Sequence, residues 1–273
     1  MNQEHPARAK TFRALHAPGR LLRLPNAWDA GSARLFEAAG AEAIATTSAG
    51  LAWSCGYPDG NALPGRVYVA AVAAIARVVS LPISADAEGG YSDDPRAVAE
   101  NVSALLDAGA VGINIEDGTD SPDRLCAKIE AVKTAAARAG GDLFVNARTD
   151  VYIKALVPAE RALDETLARG RRYCDAGADG LFVPRLADPA AIRTVVAEID
   201  LPLNLLTQPG LPTIAELQAL GVRRVSAGSS LTALAYGAAR HAAASFLGEG
   251  TYDAMYERPV AYAEMNGLFA KGR

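Results

Sequence analysis

The stretch Ala108–Gly118, read as Ala-Gly-Ala-Val-Gly-Ile-Asn-Ile-Glu-Asp-Gly, contains the unit from which the rest of the chain is built. Its Gly109 stands where a helix needs a left-handed residue in order to end. The run Gly112–Glu116 that follows has the length of a strand, and acidic residues collect at its end. Equivalent glycines, Gly40, Gly177 and Gly221, precede other apolar runs. Gly40, Gly109 and Gly177 follow one another at intervals of roughly 70 residues, about the length of two strand–helix units of a barrel.

Short apolar runs alternate with Ala-rich stretches whose apolar residues have helical spacing, as in Val67–Val79 and Ala127–Ala139. This alternation implies parallel strands, because each helix returns the chain to the same end of the sheet. Eight units in 273 residues fit a closed barrel better than an open sheet, and the sequence contains neither GxGxxG nor a P-loop. The predicted fold is α/β, a (β/α)8 TIM barrel with extra C-terminal helices. The predicted strands are Arg20–Pro25, Ala43–Thr47, Pro82–Asp86, Gly112–Glu116, Leu143–Arg148, Gly180–Pro184, Leu203–Leu206 and Arg224–Ala227.

No linker rich in Pro, Gly or Ser divides the chain, so residues 1–273 are predicted to form a single barrel domain. The part after Tyr252 predicts one or two terminal helices that dock elsewhere, and residues 250–273 are interpreted as a helical extension.

Charge, hydrophobicity and cysteine spacing exclude several classes of partner and location. The net charge is −4 with both signs interleaved and no basic stripe, which argues against nucleic acid and anionic membrane surfaces as partners. No apolar run approaches the roughly 20 residues of a membrane span, and Met1–Lys10 lacks a signal-peptide core. The three separated cysteines suit a reducing compartment, so a cytoplasmic location is expected.

Acidic residues collect where the third and fourth strands end, the end at which barrel active sites lie. Asp86 and Glu88 are two residues apart, and Glu116 ends the adjacent strand. Carboxylates that converge on one spot repel each other unless a cation neutralises them, and oxygen ligands favour Mg²⁺ or Mn²⁺. We therefore predict a metal site with one direct carboxylate and the others acting through water.

Two further features suit an anionic substrate. Arg148, at the end of the fifth strand, could clamp a carboxylate in bidentate fashion or form a structural ion pair with Glu116, and both could hold. The small residues Ser48, Ala49 and Gly50 offer backbone N–H groups to an anion. Asp59 lies in a segment that reads first as a β-turn and alternatively as part of the site.

Nucleophilic and zinc chemistry are disfavoured. The only histidines, His5, His16 and His241, fall at no predicted strand end. Cys126 follows a helix start marked by Pro122, so a packing role on that helix is expected.

Together these motifs resemble the isocitrate lyase / phosphoenolpyruvate mutase superfamily over nearly the whole chain. The most specific pieces are Ala85–Tyr91, Gly112–Gly118 and Asn146–Asp150. The resemblance implies a homotetramer, often with a C-terminal helix exchanged between neighbours, and Mg²⁺-dependent chemistry on 2-oxy carboxylates.

The resemblance also implies roles for individual residues. Asp86 resembles the direct metal ligand, which also meets the substrate, and Glu116 a ligand through water. Glu88 stands where the family usually has Asp, and Asp59 resembles a conserved catalytic acid. Ser48, Ala49 and Gly50 resemble the loop that holds the substrate carboxylate. Arg148 resembles the substrate-binding arginine and is expected to be catalytic as well, and Asn204 resembles a substrate-facing amide.

The chain departs from the family lyases in two places. Their mobile loop with a catalytic cysteine is replaced here by the shorter Asp117–Pro122, and Cys126 does not reproduce the motif. The sixth strand ends in Arg185, where lyases place a glutamate, and this arginine could read a second acidic group on the ligand.

The leading hypothesis is a Mg²⁺-dependent lyase that forms an enolate from a small 2-oxo or 2-hydroxy (di)carboxylate, by decarboxylation or C–C cleavage. One alternative is C–P bond chemistry on a phosphonopyruvate-like substrate. The other is a 2-oxo acid binding protein without catalysis.

Overall fold

The predicted barrel is confirmed. The computed structural model describes residues 5–270, in which parallel strands form a nearly closed barrel surrounded by helices. The order around the barrel is β1-β9-β8-β7-β6-β5-β4-β3-β2. The strands are β1 (Leu22–Leu24), β2 (Asn26–Ala27), β3 (Ile44–Thr46), β4 (Ile83–Asp86), β5 (Gly112–Glu116), β6 (Phe144–Arg148), β7 (Gly180–Phe182), β8 (Leu203–Leu206) and β9 (Arg224–Ser226).

The ninth strand arises because the first predicted strand, Arg20–Pro25, is divided. Pro25 has no backbone N–H to donate and stands between the two pieces. Leu22–Leu24 pairs with β9, and Asn26–Ala27 pairs with β3 on the other side. One segment therefore joins both edges of the sheet and brings the barrel close to closure.

The helices follow the predicted positions. The stretch expected around Val67–Val79 is helical over Gly65–Val78, and the one around Ala127–Ala139 over Pro122–Arg138. Gly40, Gly109, Gly177 and Gly221 all have φ between 90° and 108°, as expected for residues that end helices. The helices are α1 (His5–Ala14), α2 (Ala30–Ala38), α3 (Ser48–Ser54), α4 (Gly65–Val78), α5 (Pro95–Asp107), α6 (Pro122–Arg138), α7 (Ala162–Asp175), α8 (Pro189–Glu198), α9 (Ile214–Ala219), α10 (Ser230–Gly248) and α11 (Tyr262–Ala270).

Alternation along each strand separates two environments. In β5, Ile113 and Ile115 pack into the large core cluster between the strands and the outer helices. The intervening Asn114 instead meets a side chain from β9, on the opposite side of the ring. Glu116 follows it with the same orientation, so polar residues occupy the barrel interior.

Helix α1 was not predicted. Its Phe12 is fully buried and joins a cluster with Leu22, Val111 and Phe144, residues at or next to the N-terminal ends of their strands. A bulky helix thus covers the end of the barrel opposite to the acidic residues.

The C-terminal part is helical, as expected, but it is largely exposed. Only Thr232 is buried in α10, and no residue is buried in α11. Helix α11 is held by a hydrogen bond from Arg34 Nε to the carbonyl of Leu268, 2.8 Å long. Residues 1–4 and 271–273, which the single-domain prediction includes, lie outside the described residues. Within 5–270, no helix combines the length and hydrophobicity that crossing a membrane requires.

Candidate active site

Three predicted site residues lie at the C-terminal ends of adjacent strands. Asp86 ends β4, Glu116 ends β5 and Arg148 ends β6. The strand register pairs Asp86 with Asn114 and Glu116 with Arg148, so the three side chains lie close together. The site therefore begins where barrel active sites generally lie.

Asp86 is held by residues from three other elements, β3, α3 and α4. Its Oδ2 accepts a hydrogen bond from the backbone N–H of Ser48, 3.1 Å away. Its own N–H donates to Thr46 Oγ1 at 2.9 Å, and its carbonyl accepts from the Tyr68 hydroxyl at 2.9 Å. Oδ1 has no hydrogen-bond partner among residues 5–270, which leaves one carboxylate oxygen available to a ligand.

Glu88 lies beside Asp86 in a constrained loop. Its φ of 47° is left-handed, which is unusual for a residue with a side chain. One carboxylate oxygen accepts from the Asn61 N–H, and the other accepts from the Tyr91 hydroxyl at 3.0 Å. Burial raises the pKa of Glu88 despite these two bonds, and the nearby charges of Asp86 and Asp59 raise it further.

Arg148 links a row of charges. Its Nη1 lies 2.6 Å from Glu116 Oε2, and its Nε donates to Asp150 Oδ1 at 2.6 Å. Lys154 continues the row at 3.1 Å from the other oxygen of Asp150. The predicted ion pair between Arg148 and Glu116 is therefore present, and the clamp for a substrate carboxylate stays a prediction.

Burial controls protonation in this row. It raises the pKa of Glu116 to about 8, and Arg148 only partly offsets that effect. Burial also opposes the positive charge of Arg148, but the carboxylates of Glu116, Asp150 and Asp86 outweigh it and raise the pKa of Arg148. Glu116 thus lacks enough positive charge around it in the ligand-free protein.

Ser48, Ala49 and Gly50 form the first turn of α3 rather than an open loop. The N–H of Ser48 is taken by Asp86, and that of Gly50 by the Thr47 side chain at 3.4 Å. A Cβ on Gly50 would come within 2.6 Å of Thr232 Oγ1, so this glycine is required for packing. The expectation of free N–H groups at Ser48 and Gly50 is therefore wrong, because the helix start and Asp86 use them.

The remaining predicted site residues lie around this centre. Asp59 is exposed in the segment after α3, close enough to Glu88 to raise its pKa. Asn204 is fully buried in the barrel, with its Oδ1 3.2 Å from the Ser226 hydroxyl. Arg185 is exposed three residues after the end of β7, has a φ of 71°, and its Nη1 lies 3.4 Å from Gln208 Oε1.

The buried carboxylate of Asp117 holds the segment after β6 that carries Asp150, a role that the sequence interpretation missed. Its Oδ1 accepts from the N–H of Asp150 at 2.8 Å. Its Oδ2 accepts from Arg169 at 2.8 Å and from the Tyr173 hydroxyl at 2.6 Å. The available signal was that Asp117 follows Glu116, so the two side chains point to opposite faces of the strand.

A cleft of about 450 Å³ opens beside Glu116, between the loops that follow β4, β5 and β6. Lys128 reaches it from α6 and donates to the carbonyl of Gly89 at 2.7 Å, and burial lowers the pKa of Lys128. Cys126 lies on the same helix, as predicted, with its thiol 3.6 Å from the carbonyl of Arg172. The short segment after Asp117 leaves this cleft open.

The site fits a divalent cation with one direct protein ligand. Among residues 5–270, no three His, Cys, Asp or Glu side chains are grouped as a complete metal cage. Asp86 has a free oxygen, and the raised pKa values of Glu88 and Glu116 show that added positive charge would stabilise their ionised forms. Mg²⁺ usually keeps several waters and takes one or two carboxylates, which is the arrangement available here.

Known proteins resemble this chain over most of its length. Residues 12–247 match the family model described as phosphoenolpyruvate phosphomutase. An uncharacterized protein of Mycobacterium tuberculosis (strain H37Rv) is 41% identical over 259 residues, covering 93% of this chain and 94% of its own. Oxaloacetate decarboxylase of Pseudomonas aeruginosa (strain LESB58) is 31% identical over 272 residues, covering 95% of this chain and 88% of its own. The structure of 2,3-dimethylmalate lyase, a member of the PEP mutase/isocitrate lyase superfamily, has 27% identity and a TM-score of 0.83, covering 96% of this chain and 94% of its own.

Proposed function

Because this chain belongs to the phosphoenolpyruvate mutase/isocitrate lyase superfamily, we propose that it is a Mg²⁺-dependent lyase that converts a small 2-oxo or 2-hydroxy dicarboxylate through an enolate. The observation that carries the proposal is the meeting of Asp86, Glu116 and Arg148 at three adjacent strand ends. Mn²⁺ would suit the same oxygen ligands.

Each of these residues has a definable task. Asp86 would hold the metal directly through its free oxygen, and Glu88 and Glu116 through water. Mg²⁺ at this position supplies positive charge that stabilises an enolate. The Nη2 of Arg148 makes no hydrogen bond to residues 5–270, so it remains able to bind a substrate carboxylate while Glu116 and Asp150 fix the guanidinium. Ser48 keeps Asp86 oriented.

Decarboxylation of oxaloacetate is the favoured reaction. Breaking the C3–C4 bond releases CO₂ and leaves its electron pair on the enolate of pyruvate, which then needs one proton that water can give. Cleavage of a malate also needs a base for its hydroxyl proton, and the cysteine loop of the family lyases is missing here. The 31% identity to an oxaloacetate decarboxylase supports the same choice.

The test is pyruvate formation from oxaloacetate with Mg²⁺, compared with the rate in Mg²⁺ buffer without protein. We expect Asp86→Asn to lower turnover by about 10²-fold or more, since it removes the direct ligand. Asp175→Asn, which alters an exposed carboxylate on α7, is the matched control and should keep full activity. Retained Mg²⁺-dependent turnover in Asp86→Asn would refute the metal assignment.

The match to the phosphoenolpyruvate phosphomutase family model favours a second candidate function, C–P bond chemistry on phosphonopyruvate. Release of phosphate from phosphonopyruvate, without turnover of oxaloacetate, would establish it. Tight binding of 2-oxo acids with no turnover of either compound would instead identify a binding protein.

We also propose that α10 and α11 pack between subunits of a homotetramer. Large apolar side chains on or between these helices are exposed in the single chain, including Leu247 (81%), Tyr256 (72%) and Tyr262 (86%). Clusters of this kind mark protein interfaces. Analytical ultracentrifugation should give a tetramer mass for the wild type and smaller species for Leu247→Asp, whereas a wild-type monomer at micromolar concentration would refute the assembly.

For location we propose the cytoplasm. Cys55, Cys126 and Cys174 are all free thiols, as expected in a reducing compartment. Fractionation of cells that produce the full chain would test this.

A further inference from the structure

Arg224 crosses the interior of the barrel. It lies on β9 and is fully buried, with an exposed fraction of 0%. Its Nη2 donates to Asn114 Oδ1 at 3.2 Å. In the ring, β9 and β5 are separated by three strands in one direction (β8, β7 and β6) and by four in the other (β1 to β4), so this contact joins opposite walls.

The charge of Arg224 is not paired with a carboxylate among the described residues. No carboxylate of residues 5–270 forms an ion pair with it, and its Nε and Nη1 have no hydrogen-bond partner. Burial lowers the pKa of Arg224 to about 9, and Asp86 is the group whose charge acts against that change. His16, also buried, stays neutral and adds no second positive charge, because burial and Arg224 lower its pKa to about 3. A buried cation without a partner is strongly unfavourable, so a missing anion is indicated.

The neighbours of Arg224 add donors rather than acceptors. Asn204 is its register partner on β8, and the buried Nδ2 of Asn204 has no partner among residues 5–270. Asn146 Nδ2 already donates to Asn114 Oδ1 at 2.8 Å, the same oxygen that Arg224 uses. The interior therefore has more hydrogen-bond donors than acceptors, which favours an anion.

The position of Arg224 connects it to the candidate site. Asn114, which it contacts, is the register partner of Asp86. Asn114 also lies two residues before Glu116 on the same face of β5. The guanidinium is thus directly beneath the level at which a ligand would meet Asp86 and Glu116.

We propose that Arg224 is a positioning residue whose buried charge is completed by the ligand. It increases the affinity of the site for a dianion, a 2-oxo dicarboxylate or oxalate, and it holds Asn114 beneath that ligand. This inference rests on the proposed function. The arginine therefore serves binding at the expense of stability, since no carboxylate of residues 5–270 forms an ion pair with it.

The test is isothermal titration calorimetry of oxalate into the full chain at saturating Mg²⁺. Arg224→Gln keeps a polar side chain without charge and should weaken oxalate binding by about tenfold or more. Arg224→Lys keeps the charge and should stay within about threefold of the wild type. Arg23→Gln, an exposed position on the neighbouring strand β1, is the matched control and should bind as the wild type does.

Two further readouts separate ligand binding from a structural role. Without ligand, Arg224→Gln should unfold at a temperature equal to or above that of the wild type, because an unpaired buried charge has been removed. With oxaloacetate as substrate, KM should rise by a larger factor than kcat falls, and Arg224→Lys should restore most of the loss.

Several results would overturn the inference. Equal oxalate affinity in Arg224→Gln and the wild type would show that the charge does not reach the ligand. If Arg224→Gln fails to fold, a folded Arg224→Lys with tenfold weaker binding would show that charge is not the property that matters. If the wild type itself binds no oxalate with Mg²⁺, the proposed function fails, and this inference fails with it.

Discussion

The two sides of the barrel interior satisfy their charges differently. On the side of β4 to β6, Glu116, Arg148, Asp150 and Lys154 form a continuous row of ion pairs. On the side of β8 and β9, the guanidinium of Arg224 has one hydrogen-bond partner within the described part of the chain, the amide oxygen of Asn114. The first side holds its charged groups in place through ion pairs and leaves Asp86 Oδ1 and Arg148 Nη2 available to a ligand, whereas the second side has buried donors without acceptors among residues 5–270. The two walls thus prepare for a ligand differently, one by fixing its binding groups in ion pairs and the other by leaving buried donors unpaired.

Removing the support of the paired side should have the largest effect on stability. Asp117→Ala leaves Arg169 without its buried partner and takes the acceptor from Tyr173 and from the N–H of Asp150. We expect a loss of about 3–5 kcal/mol in the free energy of unfolding, measured by urea denaturation. Glu198→Ala breaks an exposed ion pair between α8 and Arg171, which lies on α7 like Arg169. This variant should cost only about 0–1 kcal/mol. Similar losses for both variants would mean that the buried network does not hold the site.

A smaller effect is expected where α3 meets Asp86. Gly50→Ala places a methyl group within 2.6 Å of Thr232 and Thr47 atoms and should destabilise by about 1–3 kcal/mol. It should also weaken Mg²⁺ binding, because the Ser48 N–H that holds Asp86 belongs to the same turn. Gly65→Ala is the control, since no atom lies within 4 Å of its added methyl group. A Gly50→Ala protein as stable as the control would contradict the packing.

The paired side should also make ligand-free stability depend on pH. Burial raises the pKa of Glu116 from 4.5 to about 8 on folding, so the folded state binds this proton more tightly. The stability that the group contributes is fully present below about pH 4.5 and is lost as the pH rises through about 8, with a slope of at most about 1.4 kcal/mol per pH unit. Urea denaturation at several pH values, with Glu116→Gln as control, should show a decline that the variant lacks. A wild-type curve that rises over this range would contradict the assignment.

Local patterns predicted the features that depend on single segments. Alternating runs predicted the strands, and Gly109 and its equivalents predicted the helix ends, because backbone geometry is set by neighbouring residues. Asp86, Glu116 and Arg148 were identified since parallel strands end at one edge of the barrel. The division of the first strand at Pro25 was not predicted, although a missing N–H at that position could have indicated it.

Long-range packing determined what the sequence could not predict. Nothing near Phe12 or Arg224 in the chain shows that one covers the end of the barrel and the other spans its interior. Tyr68 lies on the apolar face of α4 and reads as core, yet its hydroxyl holds the carbonyl of Asp86. Such contacts join residues far apart in sequence, so no periodicity marks them.

The most direct test of the account is thermal unfolding of the full chain with Mg²⁺ alone, with oxalate alone and with both. We expect a large upward shift in the unfolding temperature only when both are present, and a ligand at about 100 times its Kd should add roughly 2.7 kcal/mol of stability. No shift under any of the three conditions would contradict the proposed metal and dicarboxylate site.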